Sequence, residues 1–167
     1  MNVALALEAW PTVTIAVPAH NEAPVIAKTV RSLQLLRHPR GPEGLEILVI
    51  DDGSTDGTAE LALDAAIGAV IRTHVVSQPA SKKAGALNRA FREAQGDVVV
   101  VIDADTVVDP GLVEAFLPHF NDPTVGAVAG NIIVGNADRS LITRFQAIEY
   151  LISISQGKQA ADLTRSE

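Results

Sequence analysis

Short apolar segments alternate with amphipathic segments along most of the chain. The apolar segments are rich in Val and Ile and lack strict alternation, which predicts strands that are buried on both faces. The predicted strands are Val13–Val17, Leu45–Ile50, a weaker segment at Ala69–Val76, Val98–Ile102, and Val125–Val134, which Gly130 interrupts.

Helical periodicity occupies the stretches between these segments. Pro24 is a favoured first-turn residue, and Val25–Leu33 behind it has its apolar residues on one face. Further helices are predicted over Thr58–Ala66, over Lys83–Ala94, from the cap at Asp109 to Phe120, and over Arg139–Ile154. Alternating strands and helices predict an α/β fold, a three-layer α/β/α arrangement around a mostly parallel sheet.

Composition narrows the class of function. The 167 residues include 13 Lys and Arg against 20 Asp and Glu, a net charge of −7, which argues against a nucleic-acid partner because phosphate backbones require a basic surface. No cysteine is present, which excludes disulfides and thiolate metal sites. No apolar run approaches the roughly 18 residues that span a bilayer, and the first ten residues do not form a secretory signal. We therefore expect one soluble, acidic, cytoplasmic domain.

Polar and mostly acidic clusters follow three of the predicted strands. Pro18–Glu22 follows the first strand, Asp51–Asp56 the second and Asp103–Asp105 the fourth. Parallel sheets bind ligands outside the carboxyl ends of their strands. We therefore expect the three clusters to meet at one edge of the sheet.

Asp103 and Asp105 leave a buried strand two residues apart. Two carboxylates at this spacing suit Mg²⁺ or Mn²⁺, which prefer oxygen ligands and often complete their shell with phosphate oxygens. Asp is also common in turns that follow strands, so this pair alone would be ambiguous. The two other clusters favour a ligand site.

The segment Asp51–Asp56 allows several interpretations. A calcium loop is excluded because Leu63 stands where that loop needs a bidentate Glu. A phosphoacceptor receiver-like domain would carry its acidic pair after the first predicted strand, whereas in this chain the pair follows the second. A turn with a helix cap is compatible with the segment, with Gly53 in an unusual backbone conformation. That turn would leave Asp51 and Asp52 free to face a ligand.

Lys82 and Lys83 form a lysine pair at a predicted helix N-terminus. Helix stability alone would place lysine at the C-terminus, so this position favours anion binding. The chain has no P-loop, no Gly-x-Gly-x-x-Gly fingerprint and no Gly-x-Ser-x-Gly elbow. Among the four histidines, which do not have metal-ligand spacing, only His20 lies near the predicted site.

Four motifs jointly resemble the nucleotide-binding half of a family 2 glycosyltransferase, which has the Rossmann-like glycosyltransferase-A fold. They are Val13–Glu22, Leu48–Thr58, Lys83–Asn88 and Val101–Asp105. The segment 144–150 further resembles the processive, polysaccharide-synthase-like branch. The resemblance predicts an incomplete nucleotide-diphosphosugar-binding domain at 12–155, between an N-terminal extension at 1–11 and a polar tail at 156–167.

The resemblance implies roles for individual residues. Those matched to nucleotide binding are Pro18, Ala19, Glu22, Asp51, Asp52, Lys83 and Asp103. The first three match the loop that holds uridine, and one of the two adjacent aspartates contacts the uracil or the ribose. Asp105, together with Asp103, matches the ligands of the Mg²⁺ or Mn²⁺ ion that bridges the diphosphate.

The implied activity is metal-dependent, inverting sugar transfer from a UDP-linked donor to a saccharide or lipid acceptor. Such a reaction needs a general base, and the later acidic motif that supplies it in the family is absent, as is Gln-x-x-Arg-Trp. We therefore expect the base beyond the chain end. Membrane contact is expected only through segments missing here, on the cytoplasmic face. The alternative is a nucleotide- and metal-binding module without turnover.

Overall fold

A computed structural model describes residues 10–130 of the chain. The chain divides into two compact units, Met1–Thr124 and Val125–Glu167, and the fold below is that of the first. The predicted helix Arg139–Ile154 lies outside the described residues. The domain limits at 12–155 remain predictions, because most of the flanking residues lie outside the described range as well.

The sheet of the first unit has four strands, and all of them are parallel. They are β1 (Val13–Ala19), β2 (Leu45–Asp52), β3 (Arg72–Gln78) and β4 (Val98–Val101), in the order β3-β2-β1-β4. Every residue of β2 is buried, whereas β3 and β4 at the two edges are only partly covered. The Val- and Ile-rich central strands therefore have the two buried faces that their sequence predicts.

Helices cover both faces of this sheet. The α-helices are α1 (Ile26–Leu33), α2 (Thr58–Ala65), α3 (Lys82–Glu93) and α4 (Leu112–Phe116), with 3₁₀ turns at Pro42–Gly44 and Leu117–Asn121. On one face Ile15 and Ile47 pack with α1, α2 and α4, and on the other Leu48 and Ile50 pack with Ala86 of α3. Each fully buried Ile or Leu contributes about 1.5–3 kcal/mol. The three-layer α/β/α architecture is confirmed.

Several element boundaries differ from the prediction for local reasons. α1 begins at Ile26, after a turn that contains Pro24 and in which the amides of Val25 and Ile26 both donate to the Glu22 carbonyl. The α-helical part of the fourth helix ends at Phe116 and continues as a 3₁₀ turn, since Pro118 has no N–H to donate. In the second unit, residues 125–130 contain no strand, and the rest of the strand predicted there lies outside the described residues.

A buried carboxylate ties the amino ends of the strands together. Glu46 accepts hydrogen bonds from Thr14 Oγ1 at 2.5 Å, from the Gln95 amide at 2.7 Å and from Arg72 Nη2 at 2.7 Å. Burial by itself raises the pKa of Glu46, but these bonds and the positive charge of Arg72 hold that pKa below its ordinary value of 4.5. This cluster lies at the amino ends of the strands, opposite the carboxyl ends at which parallel sheets bind ligands.

Candidate functional site

The loops after β1 and β4, the end of β2 and the N-terminus of α3 surround one cavity of about 300 Å³. Its lining residues are Pro18, Ala19, His20, Glu22, Asp52, Lys83, Ala86, Asp103, Ala104 and Asp105. Every residue that the sequence assigned to the site lies here except Asp51. Asp51 instead lines a second cavity of about 430 Å³, together with Ser54 and Gln78.

Asp51 and Asp52 separate because successive side chains of a strand point to opposite faces of the sheet. Asp51 lies on the face that carries α1 and α2, where its Oδ1 accepts from the Ser54 amide at 3.3 Å. Asp52 lies on the face that carries α3. Both carboxylates are almost fully buried, at 5% and 4% exposed. The two aspartates therefore present their charges to different cavities.

The Asp52 carboxylate holds the N-terminus of α3. Its Oδ1 accepts from Gln78 Nε2 at 2.7 Å, from Ser81 Oγ at 2.7 Å and from the Ser81 amide at 2.9 Å. Burial alone raises the pKa of Asp52, but these bonds keep that pKa below its ordinary value of 3.8. Asp52 is therefore held in its ionised form.

Sequence reasoning did not identify Gln78 and Ser81 as part of the site. Ser81 precedes the predicted helix start, where serine commonly caps a helix, but it makes no cap bond and donates to Asp52 instead. The next residue, Lys82, has a left-handed backbone with φ of 66°. This conformation costs a residue other than glycine about 1–3 kcal/mol and persists only where its surroundings enforce it. The bonds between Ser81 and Asp52 provide such a constraint.

The loop after β4 carries the two aspartates that were predicted as metal ligands. Lys83 Nζ lies 2.5 Å from Asp103 Oδ1, so that lysine and Asp103 form an ion pair. Asp105 is exposed and has no hydrogen bond or ion pair within residues 10–130. Between the aspartates, the Ala104 carbonyl accepts a hydrogen bond from Thr29 Oγ1 of α1. The backbone of this loop is thus anchored while its carboxylates face the cavity.

The loops after β1 and β2 are joined by four hydrogen bonds. The Asn21 amide donates to Ser54 Oγ at 2.9 Å and the Thr55 amide donates to Asn21 Oδ1 at 2.9 Å. The Glu22 amide donates to Thr58 Oγ1 at 2.8 Å, and the Ala23 amide donates to Asp56 Oδ2 at 3.0 Å. The polar residues after Gly53 therefore hold the first loop in place.

Gly53 adopts the left-handed backbone conformation that sequence reasoning expected, with φ of 74°. A Cβ atom at this position would lie 2.7 Å from the Ala80 backbone nitrogen. The turn after β2 therefore requires glycine both for its backbone angle and for the close approach of the loop before α3.

His20 contacts the same network through both ring nitrogens. Its Nδ1 lies 2.8 Å from the Asp52 carbonyl, which only accepts, so Nδ1 carries the proton. Its Nε2 lies 3.3 Å from Asn21 Nδ2, which donates. The tautomer of His20 is thus set by its neighbours, and the ring lies at the wall of the 300 Å³ cavity.

The donor set at this cavity suits a hard cation that is shared with a ligand. Asp103 and Asp105 offer carboxylate oxygens, and no group of three or more His, Asp or Glu side chains within residues 10–130 is arranged to hold a metal. An octahedral ion such as Mg²⁺ or Mn²⁺ bound here would take most of its ligands from water and from the bound molecule. That arrangement fits a metal–diphosphate complex.

Comparison with known protein families agrees with this geometry. The sequence model described as "Glycosyl transferase family 2" matches residues 14–165. The chain belongs to this family. The family resemblance read from the four motifs is therefore confirmed, and the three-layer fold is the one shared by solved glycosyltransferases with which this family 2 chain aligns.

A curated relative is the poly-β-1,6-N-acetyl-D-glucosamine synthase of Staphylococcus aureus (strain COL). It is 34% identical over 157 residues, which cover 90% of this chain and 35% of the synthase. The chain spans about a third of the length of the curated relatives it matches.

The solved structures that this chain resembles include ligand complexes. The mannosyltransferase PcManGT from Pyrobaculum calidifontis, in complex with GDP-Man and Mn²⁺, is 34% identical with a TM-score of 0.66, covering 72% of this chain and 35% of that one. Glucosyl-3-phosphoglycerate synthase from Mycobacterium tuberculosis, in complex with Mn²⁺, UDP and glucosyl-3-phosphoglycerate, is 29% identical with a TM-score of 0.53, covering 70% and 44%.

Within residues 10–130, no helix has the length and apolar character needed to cross a bilayer.

Proposed function

We propose that this family 2 chain forms the donor-binding part of a glycosyltransferase that takes a nucleotide-diphosphate sugar together with a divalent cation. The observation that carries the proposal is the convergence of Asp103, Asp105 and Lys83 with the loop at Pro18–Glu22 around one cavity at the carboxyl edge of the sheet. In this arrangement the diphosphate lies toward Lys83 and the two aspartates. The nucleoside lies toward Pro18, Ala19, Glu22 and Asp52. Asp51, which the family resemblance also matched to nucleotide binding, lines the second cavity.

Charge explains why the proposed ligand includes a metal. Asp103 and Asp105 place two negative charges beside the cavity, and Lys83 offsets one of them. A diphosphate brings further negative charge, so an ion held by Asp105 and Asp103 is needed to make the contact attractive. When bound, Mg²⁺ or Mn²⁺ would supply Lewis-acid stabilisation of the charge on the departing nucleoside diphosphate.

The reaction that follows is inverting transfer to a saccharide or lipid hydroxyl. The chain's own contribution to it is to bind and orient the donor through the two anchored loops. An acceptor hydroxyl also needs a general base, and we assign that role to no side chain within residues 10–130. A nucleotide- and metal-binding module without turnover is therefore the second candidate, favoured by the same observation.

The donor is proposed as UDP-linked, on the resemblance of the Pro18–Glu22 and Asp51–Asp52 motifs to uridine-binding loops. The two ligand-bound relatives support a nucleoside diphosphate in general, since one holds GDP-Man and the other UDP. Titration with UDP and with GDP in parallel separates the two bases.

Isothermal titration calorimetry tests the proposal directly. UDP is titrated with Mn²⁺, with Mg²⁺ and with EDTA into the wild-type chain and into Asp105→Ala. Asp64→Ala is the matched control, because Asp64 is an exposed aspartate of α2 that lies outside both cavities. We expect metal-dependent UDP binding in the wild type and the control and at least a tenfold loss in Asp105→Ala. Binding without metal, or unchanged binding in Asp105→Ala, rules out the proposed site.

Turnover separates the two candidate functions. A transfer assay on this chain, with UDP-sugar donors and saccharide or lipid acceptors, gives product only if a base is available. Metal-dependent nucleotide binding without product supports the second candidate.

A further inference from the structure

Lys83 occupies one of the two carboxylates that the proposed metal needs. Its Nζ lies 2.5 Å from Asp103 Oδ1, while Asp105 has no partner within the described residues. Lys83 thus neutralises one of the two carboxylates. Any cation that approaches Asp103 meets an ammonium group at the same oxygen.

The backbones on both sides of this ion pair are held firmly. On the side of α3, Ser81 is bound to the buried Asp52 carboxylate through its amide and its hydroxyl. On the side of β4, the Ile102 amide donates to the Ala16 carbonyl at 2.9 Å. Because both chain segments are anchored, Lys83 and Asp103 face each other as a consequence of the fold.

The side chains of the pair, in contrast, are free to change partner. Lys83 is 62% exposed and Asp103 is 54% exposed. Exposed ion pairs contribute little to stability, because water screens the charges and two long side chains must be ordered. A stronger anion beside Lys83 can therefore draw it away from Asp103 at small cost.

We propose that Lys83 is an exchangeable counter-ion that couples metal binding to nucleotide binding. Without nucleotide it stays on Asp103 and weakens metal binding there; with nucleotide it moves to the diphosphate and releases Asp103 to the metal. This inference rests on the proposed function, since it needs a diphosphate in the same cavity. Thermodynamic linkage then requires that metal and nucleotide raise each other's affinity by the same factor.

The coupling distinguishes this exchange from a simple effect of charge. If Lys83 only repelled the cation, its removal would strengthen metal binding by the same factor with and without nucleotide. If Lys83 exchanges partners, its removal strengthens metal binding only in the absence of nucleotide. The factor by which nucleotide raises metal affinity therefore falls.

The test measures free Mn²⁺ by electron paramagnetic resonance during titration of the protein, first alone and then with saturating UDP. The variant is Lys83→Met, which keeps the length of the side chain. Lys82→Met is the matched control, since Lys82 is the adjacent exposed lysine and makes no ion pair within the described residues. Circular dichroism melting confirms that both variants are folded.

We expect Lys83→Met to bind Mn²⁺ up to about fivefold more tightly than the wild type when no nucleotide is present, with a smaller change in Lys82→Met. With UDP, the Mn²⁺ affinity of Lys83→Met should not exceed that of the wild type. Unchanged Mn²⁺ affinity in Lys83→Met, a gain matched by Lys82→Met, or an equal gain with and without UDP overturns the inference.

The same titrations distinguish failure of the exchange from failure of the proposed function. Wild-type protein that shows no metal-dependent UDP binding contradicts the proposed function, and with it the exchange. Wild-type protein that binds UDP with Mn²⁺, combined with any of the three contrary results for Lys83→Met, contradicts the exchange alone.

Discussion

Thr29 Oγ1 donates a 2.6 Å hydrogen bond to the backbone carbonyl of Ala104, which lies between the two proposed metal ligands. Thr29 is 1% exposed and Ala104 4% exposed, so water does not substitute for either partner. This single bond joins α1 to the loop after β4. We expect Thr29, which lies outside both cavities, to help hold the loop that carries Asp103 and Asp105, alongside the Ile102 amide that donates to the Ala16 carbonyl.

Thr29→Val should therefore weaken both folding and ligand binding. Valine has the shape of threonine but leaves the buried Ala104 carbonyl without a donor, which costs about 1–3 kcal/mol of unfolding free energy. We expect a severalfold loss of Mn²⁺-dependent UDP affinity, measured by calorimetry beside a urea titration. Thr29→Ser, which keeps the hydroxyl, should restore affinity.

Ser32→Ala is the control for the Thr29 variants. Ser32 is buried on the same helix, but its hydroxyl donates at 2.8 Å to the Thr29 carbonyl within the helix and not to the loop. It should lose stability without losing UDP affinity. Wild-type affinity in Thr29→Val would show that Thr29 does not position the loop.

Asp51 and Asp52 should respond differently to the same substitution. Asp52→Asn removes the charge that accepts from Gln78 and Ser81, and charge-assisted bonds of this kind are about twice as strong as neutral ones. We expect a loss of about 1–3 kcal/mol of unfolding free energy in urea. The Asp51 carboxylate accepts a single hydrogen bond, from the Ser54 amide at 3.3 Å, so Asp51→Asn should lower the unfolding free energy by less. Equal losses would contradict the unequal roles of the two aspartates.

Glu46 should make stability depend on pH in the acid range. The pKa of Glu46 is lowered in the folded protein, so its stabilising contribution is complete above its ordinary value of 4.5 and is lost as pH falls through the lowered value. Urea titrations between pH 3 and pH 7 should show that Glu46→Gln has a lower free energy of unfolding than the wild type at pH 7. Below about pH 4.5, this free energy should decline less in the variant than in the wild type. Glu43→Gln, at an exposed position, should follow the wild type. An unaltered acid decline in Glu46→Gln would contradict the assignment.

His38 should produce a second change in stability nearer to neutral pH. Its Nε2 donates to the Pro11 carbonyl at 2.9 Å and its Nδ1 accepts from the Arg40 amide at 3.0 Å, an arrangement that only the neutral ring can make. Burial lowers the pKa of His38 from its ordinary 6.5. The unfolded chain therefore binds the proton first, and the free energy of unfolding should fall as pH drops below about 6.5.

Thermal melts of His38→Gln between pH 5 and pH 8 test this expectation. The variant should be less stable than the wild type at pH 8 and should lack most of the decline below about pH 6.5. His119→Gln serves as the control because His119 is exposed. A decline in stability that persists in His38→Gln and disappears in His119→Gln would assign the titration to His119 and contradict this expectation.

The sequence was sufficient for the architecture and for the edge at which the site lies. Val- and Ile-rich runs identified the two central strands, because burial on both faces imposes composition locally. The partly covered edge strand β3 gave only a weaker pattern. The rule that ligands bind at the carboxyl ends of parallel strands predicts that Glu22, Asp52 and Asp103 lie in one place, and all three line the 300 Å³ cavity. Alternation along β2 also accounts for the separation of Asp51 from Asp52.

The partners of these residues were decided only by tertiary structure. Ser81 lies 29 residues from Asp52, Lys83 lies 20 from Asp103, and Thr29 lies 75 from Ala104. Periodicity reports the environment within one element, whereas these contacts depend on the strand order β3-β2-β1-β4 and on the face that each helix covers. The sequence alone thus determined which residue types stand at the edge of the sheet. The packing of α1 and α3 determined which carboxylate is anchored, which is paired and which is free.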